Sequence, residues 1–107
     1  MKKNKLKHVK GYFAGVHKHR VHFEYWKYGQ HTIHRDFAPA RIFYYLDGEK
    51  KEEQWYTHGK LNNKHGPAII EYDRAGNIKI EQYYLNGQKM TKEQHQIGVF
   101  AGLGDYK

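Results

Sequence analysis

Trp55-Tyr56-Thr57-His58-Gly59-Lys60-Leu61-Asn62-Asn63-Lys64-His65-Gly66-Pro67-Ala68 decides the fold, because the chain writes its parts more than once. Gln54-Trp55-Tyr56-Thr57-His58-Gly59-Lys60 returns as Gln82-Tyr83-Tyr84-Leu85-Asn86-Gly87-Gln88 and, upstream, as Glu24-Tyr25-Trp26-Lys27-Tyr28-Gly29-Gln30. The shared grammar is Glu or Gln, two aromatics, two free positions, Gly, then Lys or Gln, at offsets of 28 and 30 residues. In the 28-residue frame, Pro39-Ala40 also falls on Pro67-Ala68, Ile42 on Ile70, Tyr44 on Tyr72, Gly48 on Gly76 and Glu53 on Glu81. A fixed period of this length marks a repeated supersecondary unit.

Each unit reads as hairpins. Arg41-Ile42-Phe43-Tyr44-Tyr45-Leu46 is β-branched and aromatic, Asp47-Gly48 turns the chain, Lys51 to Tyr56 returns, and His58-Gly59 turns again. The next unit runs from Ala68 to Tyr72, turns at Ala75-Gly76-Asn77 and returns from Ile78 to Leu85 before Asn86-Gly87. Asn-Gly and Asp-Gly mark tight turns because such turns need positive φ. Upstream, Val16 to Trp26 alternates, with Val21, Phe23 and Tyr25 on one face, the pattern of a strand with one buried side. Successive side chains point to opposite faces, so each aromatic pair places one ring inward and one in an outer row. Thr91-Lys92-Glu93-Gln94 has capping-box spacing and opens a short helix.

The expected fold is therefore mainly β: a single-layer antiparallel meander of about three stacked hairpin units. Residues 1–10 form a basic arm, 11–90 the repeats, and 91–107 a short helix and apolar cap. In this reading residues 1–20 stand outside the repeat pattern, and the cap covers an otherwise open sheet edge.

In the same frame, His34-Arg35-Asp36-Phe37-Ala38-Pro39-Ala40 and the stretch from Trp55 to Ala68 resemble MORN-type repeats. The likeness is to the divergent bacterial, phage and large-virus type that runs Trp-Tyr-x-x-Gly-Lys followed by Gly-Pro-Ala, and it covers residues 24–90. It implies stacked hairpins used as a binding or scaffolding surface and no catalysis in the repeats; contact with phospholipid comes with it, since some MORN proteins make it. Ala38 stands where Gly is expected, and the first copy lacks the Gly-Pro-Ala segment.

Composition narrows the chemistry. The 107 residues hold ten Tyr, five Phe, two Trp and no Cys, which removes disulfides, thiolate metal sites and cysteine nucleophiles. Ser is also absent, so no serine nucleophile exists. The carboxylates Glu52, Glu53, Glu71 and Glu81 fall on strands of an open sheet with no evident pocket. Nine His are present, among them His17, His19, His22, His31 and His34, but no HExxH or comparable metal spacing. A nuclease using His17, His19 or His34 as base has no recognisable motif behind it. No catalytic residue, metal or cofactor is expected.

Charge points to a partner. Net charge is +8, and residues 1–35 carry nine Lys/Arg against Glu24 alone, while the remainder balances. Such a basic end attaches to something acidic or only solubilises the chain. The first expectation is a non-catalytic module that binds and occludes an acidic protein surface, in the manner of small phage- or bacterium-encoded inhibitors or antitoxin-like adaptors. Trp26, Trp55 and Tyr56 are its anchors, and Lys10, Lys18, Arg20 and Arg35 its steering charge. The alternative is DNA or RNA held by the same basic, aromatic region, where cations and stacking rings alternate. A membrane is not among the expected partners, and pairing of sheet edges between two copies leaves a homodimer open. Met1 to Lys7 has no apolar run behind it, and no stretch approaches the roughly 20 apolar residues of a membrane span; a cytoplasmic setting is expected.

Overall fold

A computed structural model describes residues 6–12 and 21–105. The strands are β1 (Leu6–Tyr12), β2 (Val21–Tyr28), β3 (Thr32–Ile33), β4 (Arg41–Tyr44), β5 (Lys50–Gln54), β6 (Tyr56–Thr57), β7 (Lys60–Leu61), β8 (Ile69–Tyr72), β9 (Ile78–Leu85) and β10 (Gln88–Met90), followed by helix α1 (Lys92–Phe100). The long strands pair in the order β1-β2-β4-β5-β8-β9-β10, every neighbour antiparallel, with β3 on β2 and the small β6–β7 hairpin beside the main sheet. The described body measures 49 × 44 × 16 Å, one sheet layer thick.

The period seen in the sequence is a period of hydrogen bonds. The N–H of Trp55 donates to Ala68 O and that of Ala68 to Gln82 O; one unit earlier, Trp26 N–H donates to Ala40 O and Ala40 N–H to Gln54 O, at 2.8–2.9 Å throughout. Gly59 N–H to Ile33 O recurs as Gly87 N–H to Leu61 O, and Arg35 N–H to Tyr56 O as Asn63 N–H to Tyr84 O. The turns at His58-Gly59 and Asn86-Gly87 have φ of 47° and 84°, and of 51° and 83°. Two consecutive positive φ values match the twist of flanking strands and call for Gly at the second position.

These bonds correct the sequence alignment in the first unit. Trp26, not Tyr25, stands level with Trp55, and Glu24 stands level with Glu53 rather than Gln54. A one-residue slip exchanges the two faces of a strand. The slip is absorbed between Trp26 and Gly29, which are three residues apart where Trp55 and Gly59 are four.

A second difference concerns the N-terminus. Leu6 to Lys10, read above as part of an arm, lie in β1, and β1–β2 has the register of the later hairpins. Lys10 opposes Glu24, Ile42 opposes Glu53 and Ile70 opposes Glu81; in each hairpin the register shifts before the next tyrosine, at Gly11/Tyr12, Phe43/Tyr44 and Glu71/Tyr72. The repeated architecture thus begins upstream of residue 20. Gly11 belongs to this joint through close approach: a Cβ there would lie 2.1 Å from the Phe23 ring.

A row runs across the sheet through Lys10, Glu24, Ile42, Glu53, Ile70 and Glu81. Two tyrosines, each from the following hairpin, stitch it: Tyr44 donates its hydroxyl to Glu24, and Tyr72 to Glu53. Glu53 is 7% exposed and is further held by Lys50 Nζ at 3.1 Å, as a buried carboxylate requires. Burial, with the bond to Glu53, pushes the Tyr72 hydroxyl up to about 12, and burial with the bond to Glu24 raises that of Tyr44. Burial by itself raises the Glu24 carboxyl, but bonds to Tyr44 and His8 and the charges of His8 and Lys10 hold it below the usual range.

Among the described residues the buried apolar side chains are few: Ala40, Ile42, Ala68 and Leu85. Buried His34, Asn62 and His95 supply the rest of the interior with hydrogen bonds instead of bulk. At the C-terminal end Thr91 caps α1, its hydroxyl accepting from Gln94 N–H while the Gln94 side chain accepts from Thr91 N–H. The helix packs on β9 and β10, and Gly98 permits that, since a Cβ there would sit 2.8 Å from Leu85 Cδ1.

Candidate binding grooves

Trp26, Trp55 and Tyr83 hold equivalent places in the three units, and the loops beside them make the surface features of the molecule. Trp26 is closed. The His8 ring lies parallel to it, 4.1 Å between centroids and 4° between planes, and the Arg35 guanidinium carbon stands 3.7 Å from its ring centre. Arg35 is fixed in turn by Nη1 donating to Pro39 O at 3.2 Å. A cation on a Trp face contributes about 0.5–2 kcal/mol, so this stack fastens the loop after β3 to β2.

Trp55 borders a groove of about 560 Å³ that is also lined by Arg35, Asp36, Phe37, Lys64 and His65. Asn62 braces its floor: Oδ1 accepts from Asn86 N–H at 2.9 Å, and Nδ2 donates to Thr57 Oγ1 and Gly104 O at 3.1 and 3.0 Å. Phe37 is 96% exposed and has φ of 62°. Left-handed backbone at a non-glycine residue costs of order 1–3 kcal/mol and concentrates at functional sites. Lys64 is ion-paired with Asp105 at 2.6 Å, and Asp36 accepts a hydrogen bond from His34 Nε2 at 3.1 Å, so the groove is mixed in charge rather than uniformly basic.

The next unit repeats the arrangement with a different wall. Tyr83, His65 and Pro67 border a groove of about 580 Å³ whose far side is α1, through His95, Val99 and Phe100. The ring of His95 lies 5.0 Å from that of Tyr83, and its Nε2 donates to Asn63 O at 2.7 Å, which fixes its tautomer. Phe100 is 96% exposed. Lys64 and His65 line both grooves, so the two form one continuous band.

The chain matches no protein-family model, no curated protein sequence and no solved structure.

Of the residues singled out from sequence, the structure brings Trp55 and Arg35 to one groove and places Trp26 beneath Arg35. Tyr56 turns elsewhere, its hydroxyl accepting from Arg41 Nη1 at 3.3 Å. Lys10 opposes Glu24 across β1–β2 and borders a shallow recess with Tyr44 and Asp47. Lys18 and Arg20 lie outside the described residues, as do His17 and His19. Among the described residues no group of three or more His, Asp or Glu is arranged to hold a metal, and no helix is long and apolar enough to cross a membrane. Phe37, Lys64, His65 and Phe100 were not among the partner-binding residues expected from sequence. A signal for Phe37 existed: it precedes Ala38, the position where the repeat elsewhere has Gly66, and it stands where the next unit has His65.

Proposed function

We propose that this chain is a non-catalytic binding module that uses the band from Phe37 and Trp55 to Phe100 to grip a partner protein and occlude its surface. Phe37 carries the reading: a large apolar ring held 96% exposed on a strained backbone beside an open groove. Exposed aromatics over a rigid floor are the usual anchors of protein interfaces. The partner chemistry that fits is an apolar side chain or two flanked by acidic groups: the rings take the former, and Arg35 with the net charge of +8 attracts the latter. The resemblance to MORN-type repeats points the same way, toward the inhibitor and adaptor roles of phage- and bacterium-encoded proteins, by analogy of architecture only.

The test compares the wild-type chain with Phe37→Ala and Trp55→Ala as baits in nuclease-treated lysate, with circular dichroism confirming the fold of each. The expected result is a protein retained by the wild type and lost from both variants. Retention unchanged by both substitutions would refute the groove as the site. A mobility shift of DNA or RNA at low salt that collapses as salt rises, with no protein captured, would move the assignment to nucleic acid.

A further inference from the structure

The three hairpins carry the two halves of one joint, and among the described residues each half stands alone at the ends of the sheet. Tyr44 and Tyr72 close the joints to Glu24 and Glu53 of the preceding hairpin. Tyr12 occupies the same register position in β1, and Glu81 the same position in β9. Tyr12 is 55% exposed and Glu81 is exposed; among the described residues no hydrogen bond reaches either side chain. The edge of β9 from Ile80 to Gln82 corresponds to Glu52–Gln54 of β5, which pairs with β8. After β10 the chain enters α1 instead of supplying another strand, and Ile78 and Ile80 are left 56% and 37% exposed.

We propose that a second copy of this chain fills that edge, adding its β1 to β9 head to tail. The direction is right: the long strands alternate, so a strand following β9 runs as β1 does. The register follows from the internal joint. The second copy's Val9, Lys10 and Gly11 oppose Gln82, Glu81 and Ile80, as Ile69, Ile70 and Glu71 oppose Gln54, Glu53 and Glu52. Its Tyr12 hydroxyl then donates to Glu81, and its Lys10 ammonium lies beside the same carboxylate, where opposite charges across a strand pair are favourable. Gly11 of the second copy meets Ile80 with the Phe23 ring folded over it, which takes that Ile out of water. Pairing β1 with itself is disfavoured, since Lys7 and Lys10 would meet their own charge. The joint is heterologous, so growth continues beyond a dimer unless a ring closes. It uses the ends of the sheet and not the grooves, and it stands apart from the partner proposed above.

Sedimentation velocity over a concentration series at low ionic strength tests it, using the full chain. The wild type is expected to pass beyond dimer with rising concentration, and hydrogen exchange at Ile80–Gln82 to slow in parallel. Lys10→Glu and Glu81→Lys are each expected to weaken association at least tenfold, and an equimolar mixture of the two to restore it, because each supplies the complement the other lacks. Tyr12→Phe leaves the charges in place and is expected to weaken association less; it also serves if Lys10→Glu disturbs its own pairing with Glu24. A wild type that stays monomeric up to ~1 mM, or an oligomer indifferent to both Lys10→Glu and Tyr12→Phe, overturns the proposal.

Discussion

His34 and Asn62 occupy equivalent positions, and each accepts the backbone N–H that opens the following turn, from His58 and Asn86 at 2.8 and 2.9 Å. One acceptor titrates and the other does not. Because His34 Nδ1 accepts, its proton sits on Nε2 and is donated to Asp36 at 3.1 Å; a second proton would face the His58 donor. Burial, joined by the nearby His58, lowers the His34 pKa from its ordinary 6.5 despite Asp36, which raises it. A depressed histidine stabilises the fold fully above about 6.5 and loses that contribution as pH falls below it toward the folded value. Denaturant unfolding at about pH 7.5 and about pH 5 should therefore show a loss on acidification, and His34→Asn, which copies Asn62, should shrink it. Equal losses in both proteins would remove His34 from the account. The same scale holds the strain at Phe37. Phe37→Gly is expected to leave the free chain as stable or up to about 1 kcal/mol more so by denaturant titration, while weakening capture of the partner at least tenfold. Neither side chain announces this in sequence: His34 was one of nine His, and its role depends on a turn 24 residues away.

Among the elements, the turns and the helix cap were legible because their causes are local. Asn86-Gly87, His58-Gly59 and the Thr91 box act within a few residues, and the structure places each as the sequence implies. Thr91→Ala is expected to cost about 1 kcal/mol, read as a fall in unfolding free energy, through loss of the bond to Gln94 N–H. The hairpin joints were half legible. The offsets aligned Tyr44 with Tyr72 and Glu53 with Glu81, but not that each Tyr reaches back to the carboxylate of the hairpin before it. Tyr72→Phe removes the hydroxyl from the buried Glu53 and is expected to cost about 1–3 kcal/mol; Lys50 remains as a partner, which places the loss toward the lower end. Strand β1 was missed because its residues, Leu6-Lys7-His8-Val9-Lys10-Gly11-Tyr12, carry charge and glycine where the later units carry Ile, Phe and Glu. Its place comes from pairing with β2 and from the Phe23 ring over Gly11, neither of which a composition count contains.

For the whole molecule, a single layer 16 Å thick has little interior to hold it, so cohesion comes from the ladder, the tyrosine–carboxylate joints and half-buried rings. Long-range charge acts at this scale too. With a net charge of +8, association with an acidic partner should slow as salt is raised, while dissociation changes less; stopped-flow measurement over a salt series separates the two rates. An association rate insensitive to salt would remove electrostatic steering from the mechanism. The repeat, the antiparallel meander, the tight turns and the capping box follow from the sequence by itself, because each rests on spacing or on the conformational preference of neighbouring residues. Only the tertiary structure decided that Trp26 rather than Tyr25 joins the row with Trp55, that Arg35 closes one ring while Phe37 stands open beside another, and that Tyr12 and Glu81 stand at the ends of the sheet with no side-chain hydrogen bond among the described residues. Those outcomes depend on which strands meet and in what register, and a register is a property of two segments at once.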